Sequence, residues 1–159
     1  MSKHIHGFTI IEVVLVLAIA GLIFLMVFVA LPALQRSQRD TQRRNDMSRL
    51  AAALTQYQTN NNGLPAESGA ASSDHTIITN YLGGSDNFKD PNGAPYTVRF
   101  KNLQASGFGT TGNASDAPGI SIYEYAYCNS GQARYTSSSN FFAILYKLEG
   151  SGTVCIDNQ

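Results

Sequence analysis

The chain has 159 residues and a formal net charge of zero, with 11 basic and 11 acidic side chains, a length that allows one modest domain and an additional element. The charges are segregated: residues 36–49 contain five arginines and two aspartates, whereas the chain from Leu50 onward contains five basic and eight acidic side chains. A nucleic-acid-binding domain usually has a basic folded face, so this composition argues against strong nucleic-acid binding by the C-terminal part.

The first predicted element is an apolar helix within residues 8–34. Residues 13–34 form a run of 22 without a charged side chain. A helix of that length spans about 33 Å, roughly the thickness of the hydrocarbon core of a bilayer. The chain after residue 63 is too short to surround such a helix in a soluble core, so we interpret the run as a membrane segment.

Two other kinds of membrane segment have partial support in the sequence. Ala18-Ile19-Ala20 matches the small-x-small cleavage site of a secretory signal peptide. The apolar run continues for another 14 residues past Ala20, however, and a signal that is removed would not need them. A plain transmembrane anchor explains the length of the run but not the residues directly before it.

The residues before the run are Gly-Phe-Thr-Ile-Ile-Glu at positions 7–12, behind a short polar segment with one lysine. They resemble the processing motif of type IV prepilins, which has a glycine, a phenylalanine, a short Thr/Leu/Ile stretch and a glutamate five residues after the cut. The resemblance implies that a prepilin peptidase cleaves between Gly7 and Phe8 and methylates the new amino group of Phe8. The leader, residues 1–7, is then lost and the apolar helix stays.

Glu12 is an acid in an otherwise apolar segment, and an acid inside a bilayer costs roughly 2.5–3.5 kcal/mol. One interpretation is a capping box, because Thr9 and Glu12 have the spacing of N-cap and N3 and a negative charge there suits the helix dipole. The other follows from the resemblance: Glu12, without a partner in its own chain, pairs with the freed amino group of Phe8 of a neighbouring subunit. We favour this assembly role for Glu12 and Phe8.

Gly21 and Pro32 are predicted to interrupt the helix. Pro32 has no N–H to donate to the carbonyl of Phe28, and a proline inside a helix costs about 3 kcal/mol. Membrane helices tolerate such residues, so a simple kink is the alternative interpretation. The resemblance implies that the stretch between the two residues loses helicity when a filament assembles.

Residues 35–62 are predicted to form the amphipathic second half of the helix. Its apolar residues follow the i, i+3, i+4, i+7 spacing of one buried face, and they are Met47, Leu50, Ala51, Leu54 and Tyr57. Gly63, expected just after the helix, and Pro65 supply a stop signal. One helix is therefore expected from about Thr9 to Asn61.

The arginines of this half are Arg36, Arg39, Arg43, Arg44 and Arg49. We interpret them as a mostly solvated face that also contacts lipid head groups before assembly, with ion pairs from Asp40 to Arg44 and from Asp46 to Arg49. The positive-inside rule would place this flank in the cytoplasm. The resemblance places it outside with Lys3 inside, and we follow the processing motif.

Residues 63–95 are predicted to be irregular. Residues 90–96, Asp-Pro-Asn-Gly-Ala-Pro-Tyr, predict a turn that leads into a strand, and this turn resembles one in the major pseudopilins of type II secretion. Together with Asp86 it could offer oxygen atoms to calcium. Because a metal-loop ligand pattern is absent, we favour a turn that serves backbone geometry.

The remaining predicted elements are strands, at Tyr96–Lys101, Ile120–Cys128, Phe141–Leu148 and Thr153–Ile156. A hairpin turn at residues 149–152 joins the last two. Tyr123, Tyr125 and Tyr127 alternate and would share one face, either as cross-strand packing or as an exposed aromatic stripe. Residues 104–119 are predicted to be a surface loop, with a glycosylation sequon by pattern at Asn113.

These elements indicate an α+β fold. The amphipathic half of the long helix packs against a small antiparallel β-sheet in residues 63–159, and the apolar half protrudes. The resemblance to pilins implies the same lollipop-like arrangement, with the β-sheet part as a head.

Cys128 and Cys155 are the two cysteines of the chain. They would form one disulfide in an extracytoplasmic domain, but in the cytosol they would more often be free thiols. Because the resemblance places the head outside, we expect a disulfide between them. The bond would resemble the C-terminal disulfide region of many pilins.

The residues show no set typical of catalysis. His4 and His6 fall in the leader, and His75 is the only other histidine. The sequence has no metal-spaced Cys/His cluster, no P-loop and no nucleophile elbow. We therefore expect neither enzyme activity nor a cofactor.

The resemblance implies a structural subunit of a type IV pilus. Such a subunit is anchored in the cytoplasmic membrane with its head outside and then polymerises with copies of itself into a surface filament for adhesion, twitching motility or DNA uptake. Its partners would be membrane lipid, a prepilin peptidase, a membrane platform protein and the assembly and retraction ATPases. The alternatives are a major pseudopilin of a type II secretion system or a minor pilin.

Overall fold

The computed structural model of the protein describes residues 7–65, 75–103, 111–112, 119–150 and 152–159. The chain divides into two units, Met1–Ser37 and Gln38–Gln159. Most of the predicted leader and the sequon at Asn113 lie outside the described residues.

The first element is a single helix, α1, which runs from Ile10 to Asn61 over 52 residues. The predicted continuous helix is thus confirmed. It ends where Asn62 adopts a left-handed conformation, with φ of 55°. Asn62 therefore takes the position after the helix that we assigned to Gly63, and asparagine is the residue that replaces glycine most readily there.

α1 continues through Gly21 and Pro32. The helix of the single chain thus includes both residues, and the interruption expected at them stays a prediction. A proline removes one backbone hydrogen bond, and the bonds on either side of it keep the helix intact. The loss of helicity on assembly stays a prediction.

The other elements all lie in the C-terminal unit. In chain order they are α2 (Thr76–Tyr81), β1 (Thr97–Asn102), β2 (Thr111–Gly112), β3 (Gly119–Glu124), β4 (Ala126–Asn129), β5 (Gln132–Tyr135), β6 (Phe142–Lys147) and β7 (Thr153–Asp157). A four-stranded sheet has the order β1-β3-β6-β7, and a three-stranded sheet has the order β2-β5-β4. The α+β fold is confirmed, but α2, β2 and β5 were not predicted.

The larger sheet is mixed and not purely antiparallel as we expected. β3, β6 and β7 pair antiparallel, whereas β1 pairs parallel with β3, with Thr97 opposite Gly119. Parallel neighbours need a long crossover between them. Most of the chain between β1 and β3, where we predicted a surface loop at residues 104–119, lies outside the described residues.

The main core lies between one face of the larger sheet and the part of α1 in the same unit. Met47, Leu50 and Leu54 are fully buried, at the helical spacing that the sequence predicts. They belong to one cluster with Ile122 of β3 and Ile144 of β6, which are directly opposite each other in the sheet. The amphipathic face of the helix thus packs on the sheet.

The smaller sheet covers the opposite face of the larger one. Tyr123 of β3 and Leu145 of β6 are buried in a second cluster with Ala126 of β4 and Ala133 of β5. Residues 142–146 of β6 are all buried. This explains why β6 is a continuous apolar run and not an alternating one, since both faces of the strand are covered.

The predicted strand Ile120–Cys128 is wrong in one respect, because it is two strands. Tyr125 has a φ of 54° and separates β3 in the larger sheet from β4 in the smaller one. Tyr123 is buried between the sheets, while Tyr125 and Tyr127 are half-buried. The three tyrosines do not form one continuous stripe.

Candidate functional site

The predicted processing and assembly residues lie at the start of α1. Phe8 is 89% exposed, and Gly7 is exposed as well. Thr9 is the last residue before the helix. The site is thus a short exposed segment that ends in the first turn of a helix.

Thr9 and Glu12 form a capping box. The Thr9 amide and hydroxyl donate to Oε2 of Glu12 at 2.9 and 2.8 Å, and the Glu12 amide donates to Oγ1 of Thr9 at 3.4 Å. These bonds satisfy backbone donors that have no partner within the helix. They fix the rotamer of Glu12 and the point at which α1 begins.

Our interpretation of Glu12 as an acid without a partner in its own chain is therefore wrong. Both bonds from Thr9 end on Oε2, and the described residues provide no recorded donor to Oε1. A carboxylate has about four lone-pair sites, so the capping box leaves room for a further donor. Capping and pairing with a second chain are compatible.

The helix beyond this turn exposes its apolar side chains in the single chain. Every large apolar side chain within residues 8–34 is exposed, from 43% at Val27 to 89% at Phe8. α1 is long and apolar enough to cross a membrane. Exposed apolar surface of this extent indicates a membrane or a protein partner.

The C-terminal unit contains a buried ionic cluster that the sequence did not predict. Arg43 of α1 is 1% exposed. Its Nε and Nη2 donate to the two carboxylate oxygens of Asp90 at 2.7 and 2.8 Å, and the Tyr146 hydroxyl donates to the same carboxylate at 2.7 Å. A bidentate arginine–carboxylate pair combines strength with a fixed orientation.

Asp90 also organises the turn that we compared with pseudopilins. Its Oδ1 accepts the amide of Asn92 at 3.0 Å, while its backbone carbonyl accepts the amide of Gly93 at 2.8 Å. Gly93 has a φ of 92°, a conformation that favours glycine. The turn therefore presents one carboxylate to α1 in a fixed position.

A second contact joins α1 to the hairpin between β6 and β7. Arg43 donates to Glu149 at 2.8 Å and to Asp40 at 2.9 Å. Arg39 donates to Oε2 of Glu149 at 3.0 and 2.8 Å, and Asp40 accepts the amides of Glu149 and Gly150 at 3.1 and 3.0 Å. The tip of the hairpin is thus held by two adjacent turns of the helix.

The carboxylates of this cluster titrate differently according to their partners. Burial would raise the pKa of Asp90, but hydrogen bonds from Arg43, Asn92 and Tyr146 lower it below its ordinary value. For Asp46 burial dominates and raises the pKa, against the lowering effect of the hydrogen bond from the Tyr96 hydroxyl. Hydrogen bonds, first among them those from Arg43, thus outweigh the effect of burial on the pKa of Asp90, whereas for Asp46 they do not.

The solvated arginine face that we predicted is therefore wrong for Arg43. Asp40 pairs with Arg43 at i+3 and not with Arg44 at i+4 as expected, because Arg43 points into the unit. The predicted pair of Asp46 and Arg49 is confirmed at 3.3 Å. Burial of an arginine at this position depends on three carboxylates, and two of them are distant in sequence.

The structure joins Cys128 of β4 to Cys155 of β7 by a disulfide, with their Cα atoms 5.8 Å apart. Because the two strands belong to different sheets, the bond links the sheets covalently. Near the bond, Asp157 accepts the backbone amide of Cys128 at 2.6 Å. β7 is thus held by the disulfide and by the hydrogen bond of Asp157, as well as by its backbone pairing with β6.

No group of three or more His, Cys, Asp or Glu side chains suited to a metal ion occurs among the described residues. The carboxylate of Asp90, which we considered for calcium, is bound to Arg43 instead. His75 accepts the amide of Ile77 at 3.3 Å at the start of α2, and its ring lies 4.5 Å from that of Phe100. Its contacts are those of a structural residue.

Comparison with known proteins concerns the N-terminal segment. Residues 2–28 match the family model of the prokaryotic N-terminal methylation motif, which is the signal motif of prepilins and pseudopilins. No curated protein and no solved structure matches the chain. The motif supports a type IV pilin-like or pseudopilin-like protein, a class of structural subunits, and implies processing by a prepilin peptidase and membrane anchoring before assembly.

Proposed function

We propose that the chain is a structural subunit of a type IV pilus. It is inserted in the cytoplasmic membrane as a precursor with its head outside, cleaved between Gly7 and Phe8, and methylated at Phe8. It then polymerises with copies of itself into a surface filament for adhesion, twitching motility or DNA uptake. A platform protein and the assembly and retraction ATPases act on it from the membrane and the cytoplasm.

The observation that carries this proposal is a processing motif directly before a helix whose large apolar side chains within residues 8–34 are all exposed. A subunit that kept this surface in water would lose much of the free energy that apolar burial provides. Lipid covers the surface before assembly, and neighbouring copies cover it in a filament. The N-terminal helix therefore serves both stages.

The capping box suggests how cleavage controls assembly. In the precursor the nitrogen of Phe8 is part of a peptide bond, and after cleavage it is a cation. Thr9 holds Oε2 of Glu12, so the carboxylate is oriented before a partner arrives. A stagger of about one helical turn, roughly 5.4 Å, brings the amino group of one chain to Glu12 of the next. In apolar surroundings an unpaired charge there would be costly.

Two variants separate the assembly role from the cap. Glu12→Gln keeps a side chain that can cap the helix but removes the charge, whereas Thr9→Ala removes the hydroxyl contacts of the cap and keeps the charge. We expect Glu12→Gln to be inserted and cleaved but not assembled, and Thr9→Ala to assemble. Electron microscopy of sheared filaments and N-terminal sequencing of the membrane-bound subunit measure both steps. Normal filaments from Glu12→Gln would refute the role.

The processing step has its own test. Filaments sheared from cells should consist of a subunit that begins at N-methylated Phe8, as shown by mass spectrometry. A Gly7→Val variant should stay uncleaved in the membrane, because the resemblance makes a small residue before the cut essential. An assembled subunit that still carries residues 1–7 would contradict the proposal.

A major pseudopilin of type II secretion is the second candidate, and the turn at Asp90 favours it. The structure gives that turn a role inside the unit, since Asp90 binds Arg43. Long surface filaments with this subunit support a pilus. Short periplasmic filaments, together with loss of protein secretion in a deletion strain, support the pseudopilin. A minor pilin would be present in few copies per filament.

A further inference from the structure

A groove of about 400 Å³ lies within the C-terminal unit, beside the edge strand β7. Arg44 and Ser48 of α1 line one side of it, and the β4–β5 turn with Gly131 lines another. Cys128 of β4 and residues 153–156 of β7 line the remainder. We call this the β7 groove, and all its walls belong to one unit.

The edge of β7 presents backbone groups to this groove. The amide of Leu148 donates to the carbonyl of Gly152 at 3.1 Å, and Tyr146 is opposite Val154 in the same register. Because hydrogen-bonded and non-hydrogen-bonded pairs alternate in an antiparallel ladder, Val154 bonds to β6. Thr153 and Cys155 therefore direct their N–H and C=O groups away from β6, and the described residues provide no recorded backbone partner for them.

Arg44 differs from the other arginines of α1 in this unit. Arg39 pairs with Glu149, Arg43 with Asp90, and Arg49 with Asp46. Arg44 is exposed, and no carboxylate of the described residues is recorded within ion-pair distance of it. The three paired arginines show that carboxylates are the ligands this part of the helix binds, and Arg44 has an open position for one.

We propose that the β7 groove binds an extended peptide segment with an acidic side chain. The segment adds a strand to β7 by backbone hydrogen bonds to Thr153 and Cys155, and its carboxylate binds Arg44. Strand addition to a free sheet edge is a common mode of peptide recognition, in which backbone bonds give affinity and side-chain contacts give specificity. A small anion would use Arg44 alone and leave the edge unpaired. The inference does not depend on the proposed function.

The test uses the full chain in detergent micelles and two blocked pentapeptides, acetyl-Val-Thr-Asp-Thr-Val-amide and its counterpart with lysine in place of aspartate. Binding is followed by NMR through the backbone amide signals. We expect the acidic peptide to shift the amides of Thr153 and Cys155 at saturation and to bind at least about tenfold more tightly than the lysine peptide, as one charged hydrogen bond provides.

Variants separate the two contacts. Arg44→Gln should weaken the acidic peptide about tenfold and abolish its advantage over the lysine peptide, whereas Arg49→Gln, on the same helix outside the groove, should leave both affinities unchanged. Thr153→Pro removes an outward N–H at the first residue of an edge strand, where proline is tolerated, and should weaken both peptides.

Three results would overturn the proposal. One is equal affinity for the two peptides, and another is an unchanged affinity in Arg44→Gln. The third is that neither peptide shifts the amides of Thr153 and Cys155, while inorganic phosphate at the same concentration shifts the signal of Arg44. Arg44→Gln decides the test by itself if Thr153→Pro fails to fold, since Arg44 is exposed and its replacement is tolerated.

Discussion

Apolar side chains are exposed in one part of α1 and buried in the other, and the second part also buries a charge. In the N-terminal unit the large apolar side chains of residues 8–34 are exposed, and the acid Glu12 is hydrogen-bonded to Thr9, three residues before it. In the C-terminal unit Met47 and Leu50 are fully buried, and so is a charge, that of Arg43. In one part of the helix, the apolar and charged side chains are buried by contacts within the chain. In the other part, the apolar side chains have no such cover among the described residues.

This difference shows where each part obtains its stability. The C-terminal part is fixed by the sheets, by Asp90 and by the hairpin that carries Glu149. Among the described residues the N-terminal part has its own backbone bonds and its cap, and its exposed apolar surface indicates a membrane or a protein partner. Mutations should therefore affect unfolding of the single chain in the C-terminal part, and insertion or assembly in the N-terminal part.

The largest expected effect is at Arg43. Arg43→Met leaves Asp90 buried without its cation, and removal of one partner of a buried ion pair costs about 3–5 kcal/mol. Urea unfolding of the full chain in detergent, followed by circular dichroism, measures this loss. Arg43→Lys should also destabilise, because lysine cannot make the bidentate contact.

The matched control is Arg44→Met, one residue along the same helix. Arg44 is exposed, and exposed substitutions usually change stability by less than about 0.5 kcal/mol. Equal losses for the two variants would show that the cluster around Arg43 does not stabilise the unit. They would also remove the contrast between the two parts of α1.

The disulfide should give the next largest effect. Cys128 and Cys155 are 27 residues apart, and the chain-entropy estimate for a loop of this size is about 3.5 kcal/mol. A Cys128→Ser, Cys155→Ser double variant should lose stability of this order but should still insert in the membrane. Two free thiols in the exported wild-type protein, detected by mass spectrometry after alkylation, would contradict the pairing.

Acid should weaken the C-terminal unit. The pKa values of Asp90, Asp40 and Glu149 are lowered in the folded chain, by hydrogen bonds that outweigh burial for the two aspartates and by Arg39 and Arg43 for Glu149. Carboxyl groups with a lowered pKa in the folded chain stabilise it at pH values above their ordinary pKa. This stability is lost as the pH falls through the pKa values of the folded chain.

The pKa of Asp46 is raised by burial, so its protonation on acidification offsets part of the loss. The urea midpoint should therefore fall between pH 6 and about pH 3. The fall should be smaller in the wild type than in an Asp46→Asn variant, which lacks the offset. A midpoint that rises on acidification would contradict the importance of the Asp90 and Glu149 contacts.

The sequence was sufficient for the features that depend on local pattern. The apolar run, the spacing of Met47, Leu50 and Leu54, and the motif at Gly7 are each contained in a short segment. The burial of Arg43 was not predictable in this way, because its partners Asp90 and Glu149 lie 47 and 106 residues away. An arginine in a charged stretch has the same local pattern whether it is solvated or buried.

Two strand predictions failed for a related reason. The alternation of Tyr123, Tyr125 and Tyr127 is typical of one strand, yet Tyr125 adopts a positive φ and sends the chain into a second sheet. β5 was missed because its only buried residue, Ala133, is small. A short strand of the smaller sheet buries little apolar surface, so its hydrophobic alternation is weak.

The smallest expected effect is at the helix cap. It tests the N-terminal part of α1, as the Arg43 variants test the C-terminal part. Thr9→Ala should destabilise the first turn of α1 by about 1 kcal/mol, seen as faster amide exchange of residues 10–13 in detergent. The urea midpoint of the C-terminal unit should not change, because that unit begins at Gln38. A change in that midpoint would mean that the two parts of α1 unfold together, and the contrast between an exposed and a buried part would then not describe how the chain is stabilised.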